Sequence, residues 1–322
     1  IGWASNFADN LRKNAEPSGG IQHISSVLND LGTQVEEKMK EKAEGKVLRT
    51  PTGFYTLDRM TYGGYNAGNL VILAARPSVG KTAVMLQMAR AAAVVGKTVN
   101  IYSLEMTNTE LAQRFLYATE HITPGQMASA DVDWQSFEVA SAQYASKPIY
   151  LSDSLFAEDE IIANITLNNQ SGKCDIVFID YLGLVMYANS KELLSNQIAS
   201  FTKRLKKVAK ACKIPIVLLC QLNRSSASEK RPPQLYDLRD SGSIEQDADI
   251  VLMLERATEN LDGRDVNMWV RKNRQGLAGD FKVEIEGNDT FTAFKDKNDP
   301  TPPPPMTENW KNDFDDNDDI PF

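Results

Sequence analysis

One octapeptide constrains this chain more than any other feature. Ala75-Arg76-Pro77-Ser78-Val79-Gly80-Lys81-Thr82 follows directly on the apolar run Leu70–Ala75. An unbroken apolar run reads as a strand buried on both faces, and the residues from Lys81 onward read as a helix. A loop between two such elements aims backbone amides at one point, where the helix dipole favours an anion. The octapeptide has the P-loop pattern, with Ala75 in the place of the first glycine. On this reading the amides of Ser78, Val79 and Gly80 cradle phosphates, and Gly80 lets the backbone approach them closely. Lys81 sets a cation on the β and γ phosphates, and the Thr82 hydroxyl ligates Mg²⁺.

The rest of the chain repeats the alternation. Residues 98–104, 175–180, 214–220 and 249–254 read as buried strands, and 81–95, 107–120, 157–169 and 191–212 as helices. Continuous apolar strands separated by helices predict an α/β fold with a mostly parallel sheet covered on both faces. Segments 265–272, 281–286 and 290–294 predict a closing β meander.

Composition divides the chain into three regions. Residues 1–48 begin polar, break at Pro17-Ser18-Gly19-Gly20, and then place Ile21, Ile24, Leu28, Leu31, Val35 and Met39 at helical spacing. That spacing predicts an amphipathic helix capped at Ser25 or Ser26, with a partner in its own domain or another subunit. Residues 49–295 form the α/β domain, and 296–322 a tail with a proline run at 302–305. The tail holds eight acidic residues against two lysines, which leaves the body at about −2 of the total −8. It cannot bury enough apolar surface to fold. Net charge therefore does not argue against nucleic acid.

Other classes are excluded. No run reaches the roughly 18 apolar residues of a membrane helix, and the first residues lack a signal-peptide pattern. Cys174, Cys212 and Cys220 are scattered and odd in number, which argues for the reducing cytoplasm and against a disulfide framework or zinc site. His23 and His121 are the only histidines, too few for triad or metal chemistry.

Three further side chains complete a phosphate site. Asp180 ends the run Ile176-Val177-Phe178-Ile179 as a Walker B carboxylate does, and would hold Mg²⁺ directly or through water; a plain strand end gives the same pattern. Glu105 ends the strand at 98–104. If that strand neighbours the P-loop strand, its carboxylate faces the γ-phosphate as a general base; otherwise it is a helix cap or first-turn acid. Gln221 ends the strand at 214–220, placed to sense the γ-phosphate by hydrogen bonding.

These motifs, followed by Gln221-Leu222-Asn223-Arg224 and by the run from Asp237 through Arg239-Asp240-Ser241-Gly242 to Asp249, resemble in order the ATPase domain of bacterial replicative DNA helicases, the DnaB family. The match runs from about residue 50 to 294, and Ala75 is ordinary there. The resemblance implies a RecA-like P-loop ATPase core, ATP and Mg²⁺ as cofactors, and a homo-hexameric ring with ATP between subunits. It implies travel along single-stranded DNA with duplex unwinding. Lys272 and Arg274 match the pair that family inserts into the neighbour's nucleotide site, where a cation stabilises charge on the γ-phosphoryl group; solvated strand residues are the plainer alternative. Arg239, Asp240 and Gly242 match the loop that grips the DNA backbone, although Arg239 also suits a structural salt bridge. The helix at 21–44 resembles the linker helix that packs on the adjacent subunit. Residues 1–48 supply no N-terminal collar of the usual size, so primase recruitment through one is not expected of this stretch.

The end of the tail, Asp318, Asp319, Ile320, Pro321 and Phe322, resembles the tip of bacterial single-stranded DNA-binding proteins. That resemblance implies docking on replication proteins that recognise such tips: acids steer, Phe322 anchors, and the terminal carboxylate meets a cation. A solubilising acidic tail is the alternative. Two further functions fit the P-loop and Asp180 alone: a recombinase-type ATPase that does not unwind, and a nucleotide-gated binding module. Asp237 to Asp249 and the Lys272/Arg274 pair favour the helicase.

Overall fold

The structure, a computed structural model, describes residues 21, 23–187, 193–222, 231–238, 241–257, 264–276 and 281–300, with backbone alone at 241–243. The chain divides into two units, residues 1–48 and 49–322. The first contains helix α1 (Ile24–Ala43), capped by neither predicted serine. His23 is the cap instead: its ring nitrogen accepts the Ser25 amide at 3.3 Å. No residue of α1 is buried, and Ile24, Leu28, Leu31, Val35 and Met39 all stand exposed.

In the second unit the strands are β1 (Leu70–Ala75), β2 (Val99–Ser103), β3 (Ile149–Ser152), β4 (Ile176–Asp180), β5 (Ile216–Gln221), β6 (Ile250–Arg256), β7 (Asp265–Asn273), β8 (Lys282–Gly287) and β9 (Phe294–Asp296). They form one sheet in the order β3-β2-β4-β5-β1-β6-β7-β8-β9. Pairings from β3 to β6 are parallel; β6 to β9 run antiparallel. The helices are α2 (Tyr55–Met60), α3 (Lys81–Val94), α4 (Asn108–Tyr117), α5 (Pro124–Ser129), α6 (Trp134–Ala145), α7 (Glu158–Gln170), α8 (Leu194–Cys212) and α9 (Ser241–Asp247).

Strand period sorts the core into two layers. Val71, Leu73 and Ala75 of β1 face Leu57 of α2, Ala83 to Ala93 of α3, and Leu111 and Phe115 of α4. The intervening Leu70, Ile72 and Ala74 face Ile161 and Ile165 of α7, Phe201 and Leu205 of α8, and Ile244. Each larger aliphatic buried this way contributes roughly 2 kcal/mol. The fold is thus α/β and RecA-like, with helices on both faces and a closing meander.

Two expectations change. Strand β2 does not neighbour β1, because β4 and β5 lie between them. The last strand is 294–296 and not 290–294: the Asn288 side-chain oxygen accepts the amides of Thr292 (2.8 Å) and Ala293 (3.2 Å), which curls that stretch into a turn with Phe291 at φ 57°. Strand β3 and helices α2, α5, α6 and α9 lie outside the predicted elements. Strand β3 is a four-residue edge strand with Tyr150 exposed, so it lacks the unbroken apolar run that marks a central strand.

Candidate nucleotide site

Parallel strands deliver their last residues to one edge of a sheet, and here that edge collects the phosphate loop, Asp180, Glu105 and Gln221. Strand β1 leads into Arg76–Gly80, where Ser78 has φ 63° and Gly80, the N-cap of α3, has φ 100°. A Cβ on Gly80 would lie 2.7 Å from Phe294 Cζ and 3.0 Å from Phe291 Cε1. Glycine is therefore required twice, by dihedral and by the aromatic wall behind it. Phe291 and Phe294 meet edge-on at 5.0 Å and 82°. Arg256 stacks on Phe291 at 4.3 Å and donates to the Ser78 carbonyl at 3.0 Å.

In front of the loop, the Thr82 hydroxyl donates to Asp180 Oδ2 at 2.8 Å. Lys81 Nζ is 3.7 Å from Asp180 Oδ1 and 4.6 Å from the centre of the Tyr181 ring. Asp180 is 1% exposed, and its Oδ1 has no hydrogen-bond partner among the described residues. A buried carboxylate oxygen left over beside a hydroxyl is a hard oxygen pair of the kind Mg²⁺ takes when substrate phosphates supply further ligands. Among the described residues no cluster of three His, Cys, Asp or Glu competes for a metal.

Glu105 and Gln221 reach the same edge by different routes. Ser103 of β2 pairs with Asp180, and the Leu104 amide donates to the Asp180 carbonyl at 2.6 Å. Glu105 therefore sits two residues beyond Asp180's partner, on a strand adjacent to β4 instead of β1. Its turn is closed by Ser103 Oγ, which donates to the Met106 carbonyl at 2.7 Å and accepts the Met106 amide at 3.1 Å. The cap of α4 is Thr107 with Glu110, so Glu105 is neither cap nor first-turn acid. It is exposed and makes no hydrogen bond or ion pair among the described residues. Gln221 ends β5 opposite Ala75, between the strands of Asp180 and the P-loop. Burial pushes the neighbouring Cys220 thiol up to about 12, which makes it a packing group and no nucleophile.

Lys272 and Arg274 are not brought to this group within the chain. Lys272 Nζ donates to the Glu245 carbonyl, and Arg274 to the Gln246 carbonyl at 2.6 Å; both cations sit at the carboxyl end of α9. Arg274 also lies 3.6 Å from Asp249. Burial, then the like charge of Arg274, holds Lys272 below the usual lysine range. Gly242 stands in the first turn of α9. Arg239, Asp240 and the tail residues Asp318, Asp319, Ile320, Pro321 and Phe322 lie outside the described residues.

Sequence reading missed Arg256, Phe291 and Phe294, which lie far along the chain from the loop they brace and share no motif with it. It also missed Asp249 as a side chain that accepts the Leu70 amide at 2.7 Å and pairs with Lys206, pinning the start of β1.

Comparison with known proteins identifies the family. The family model described as DnaB-like helicase C terminal domain matches residues 50–296. The replicative DNA helicase DnaB of Helicobacter pylori (strain J99 / ATCC 700824) is 38% identical over 244 residues, which is 74% of this chain and 50% of that protein. That of Geobacillus stearothermophilus is 33% identical, covering 83% of this chain and 60% of its own length. The chain thus spans between about half and 60% of these relatives. Among solved structures, one isolated ATPase domain superposes with a TM-score of 0.76 at 31% identity, covering 86% of this chain and 99% of that one. A DnaB-like replicative helicase, described with its interactions with primase, gives 0.74 at 30% identity, covering 90% of this chain and 70% of that one.

Proposed function

The chain belongs to the family of DnaB-like helicase C-terminal domains, and from that premise we propose that it is the motor of a replicative DNA helicase. It hydrolyses ATP to move along single-stranded DNA and to unwind duplex, as one subunit of a homo-hexameric ring. The observation that carries this reading is the Thr82–Asp180 contact beside Lys81, with a buried carboxylate oxygen to spare. Thr82 and Asp180 would hold Mg²⁺, which when bound neutralises phosphate charge. The amides of Ser78, Val79 and Gly80 seat the phosphates, and Lys81 pairs with the β and γ groups. Glu105 takes the proton of the attacking water, and Gln221 reads the γ-phosphate.

Lys272 and Arg274 serve a neighbour. Supporting this, their contacts run to α9 and Asp249 and not to Lys81 or Asp180 of their own chain. The exposed apolar stripe of α1 supports packing on an adjacent subunit. Arg239, Asp240 and Gly242 grip the DNA backbone without reading sequence. The site of action is the cytoplasm, with primase or other replication proteins that bind such a tail tip as partners. The tip Asp318, Asp319, Ile320, Pro321 and Phe322 recruits proteins that recognise single-stranded DNA-binding protein; removing these five residues abolishes their pull-down, and unchanged capture would refute the assignment.

ATP hydrolysis with and without single-stranded DNA tests the motor reading. DNA stimulates the chain, Arg274→Ala alone is inactive, and mixing it with an equally inactive Glu105→Gln restores partial activity, because mixed rings contain intact shared sites. Hydrolysis that ignores DNA and tolerates Arg274→Ala would favour the nucleotide-gated binding module.

A further inference from the structure

The segment between Gln221 and α9 contains an aromatic that no role above uses. Tyr236 lies in a single 3-10 turn, Leu235–Asp237, and is 63% exposed. The backbone around it is held on several sides. Arg231 grips the buried Asp237 carboxylate with two hydrogen bonds, 2.7 and 2.9 Å. The Gln234 amide donates to the same carboxylate at 2.7 Å. The buried Arg271 donates its Nε to the Pro233 carbonyl at 2.7 Å, and Leu238 bridges to Leu222 just past the end of β5. Hydrogen bonds from Arg231 hold Asp237 below the usual carboxylate range, so this clamp stays charged.

On this fixed base the tyrosine ring stands outward, and the Arg231 guanidinium lies 4.8 Å from its centre. With Arg231 over one face and its charge paired with Asp237, the exposed ring keeps its other face for a base, the π-surface on which single-stranded nucleic acid stacks. Because the turn is already ordered, little conformational freedom is lost when a ligand arrives.

We propose that Tyr236, backed by Arg231, is a base-stacking platform for single-stranded DNA. The proposal rests on the motor reading above, in which the strand passes the residues that follow Leu238, and adds to it a contact with bases where that reading has only backbone contacts. Stacking of this kind tolerates any base, because every base presents a π-face.

The test compares binding of an oligo-dT strand and an abasic strand of equal length, by fluorescence anisotropy, for the full chain and its Tyr236→Ala and Tyr236→Trp variants. The unaltered chain prefers oligo-dT over the abasic strand about tenfold. Tyr236→Ala loses this preference yet keeps the same salt dependence, since no phosphate contact is removed. Tyr236→Trp retains the preference, and its emission is quenched by oligo-dT but not by the abasic strand. Preference undiminished in Tyr236→Ala, with tight binding throughout, overturns the stacking role alone. The same holds if Tyr236→Ala disturbs only subunit assembly, seen by sedimentation. If oligo-dT does not bind the unaltered chain, both the platform and the motor reading fall.

Discussion

The front and the back of the phosphate loop are built on different terms. In front, Thr82, Lys81 and Asp180 are gathered by strands whose ends the parallel sheet aligns, and they touch one another within one chain. Behind, the antiparallel strands β6 to β9 place Phe291, Phe294 and Arg256 against Gly80 and Ser78, while the end of β7 holds Lys272 and Arg274 on the carbonyls of α9. The front gathers residues that stand in short local motifs. The back contributes support to its own site and, on the proposed function, charge to another. The difference teaches that a short local motif suffices where parallel strands do the gathering, whereas bracing is written in residues scattered by the meander.

The contrast is broken most severely at the front. Lys81→Ala lowers hydrolysis on the order of a thousandfold, and adding it to intact chain should poison mixed rings beyond simple dilution; activity that falls only in proportion would mean the sites act independently. At the back, Phe294→Ala removes one side of the wall facing Gly80 and costs about 3 kcal/mol of stability. Its mark on nucleotide affinity follows from a slackened loop and would be read by titration with a fluorescent ATP analogue; unchanged affinity would confine Phe294 to packing.

A smaller effect sharpens the comparison through pH. Asp58 of α2 is buried, accepts the Thr52 amide at 2.8 Å, and is pushed up from 3.8 to about 7, by burial first and with the nearby Asp296 at the end of β9 adding to it. Its folded value lies above its unfolded one, so the folded chain binds the extra proton. The contribution is fully present below about pH 4 and is lost as pH rises through about 7. It is on the order of 4 kcal/mol at most. Asp58→Asn keeps an acceptor for Thr52 and removes the titration, so its melting temperature gains on the unaltered chain between pH 5 and pH 8. Parallel profiles would show that Asp58 is already ionised in the fold.

The front was legible in the sequence and much of the back was not, for physical reasons. Leu70–Ala75 and Ile176–Asp180 announce themselves because strands buried on both faces must be apolar throughout. Whether the strand before Glu105 adjoins the P-loop strand stays open in the sequence, because strand order depends on crossovers that no local pattern records; it adjoins β4. The stretch 290–294 reads as strand because its apolar and β-branched residues suit one, while the deciding hydrogen bonds come from the Asn288 side chain. Phe294 and Gly80 are separated by most of the domain, and nothing at either position names the other.

The sheet order has a consequence for how the chain comes into being. Strand β1 pairs on one side with residues starting at Ile216 and on the other with residues starting at Ile250. Ile216 follows Leu70 by 146 residues and Ile250 follows it by 180, so the two flanking ladders wait for that much further growth of the chain. Closing such distant pairs is slow and entropically costly. On the ribosome, the nascent P-loop strand therefore remains an unpaired apolar segment until Ile216–Gln221 has emerged, and its second ladder closes only once β6 follows.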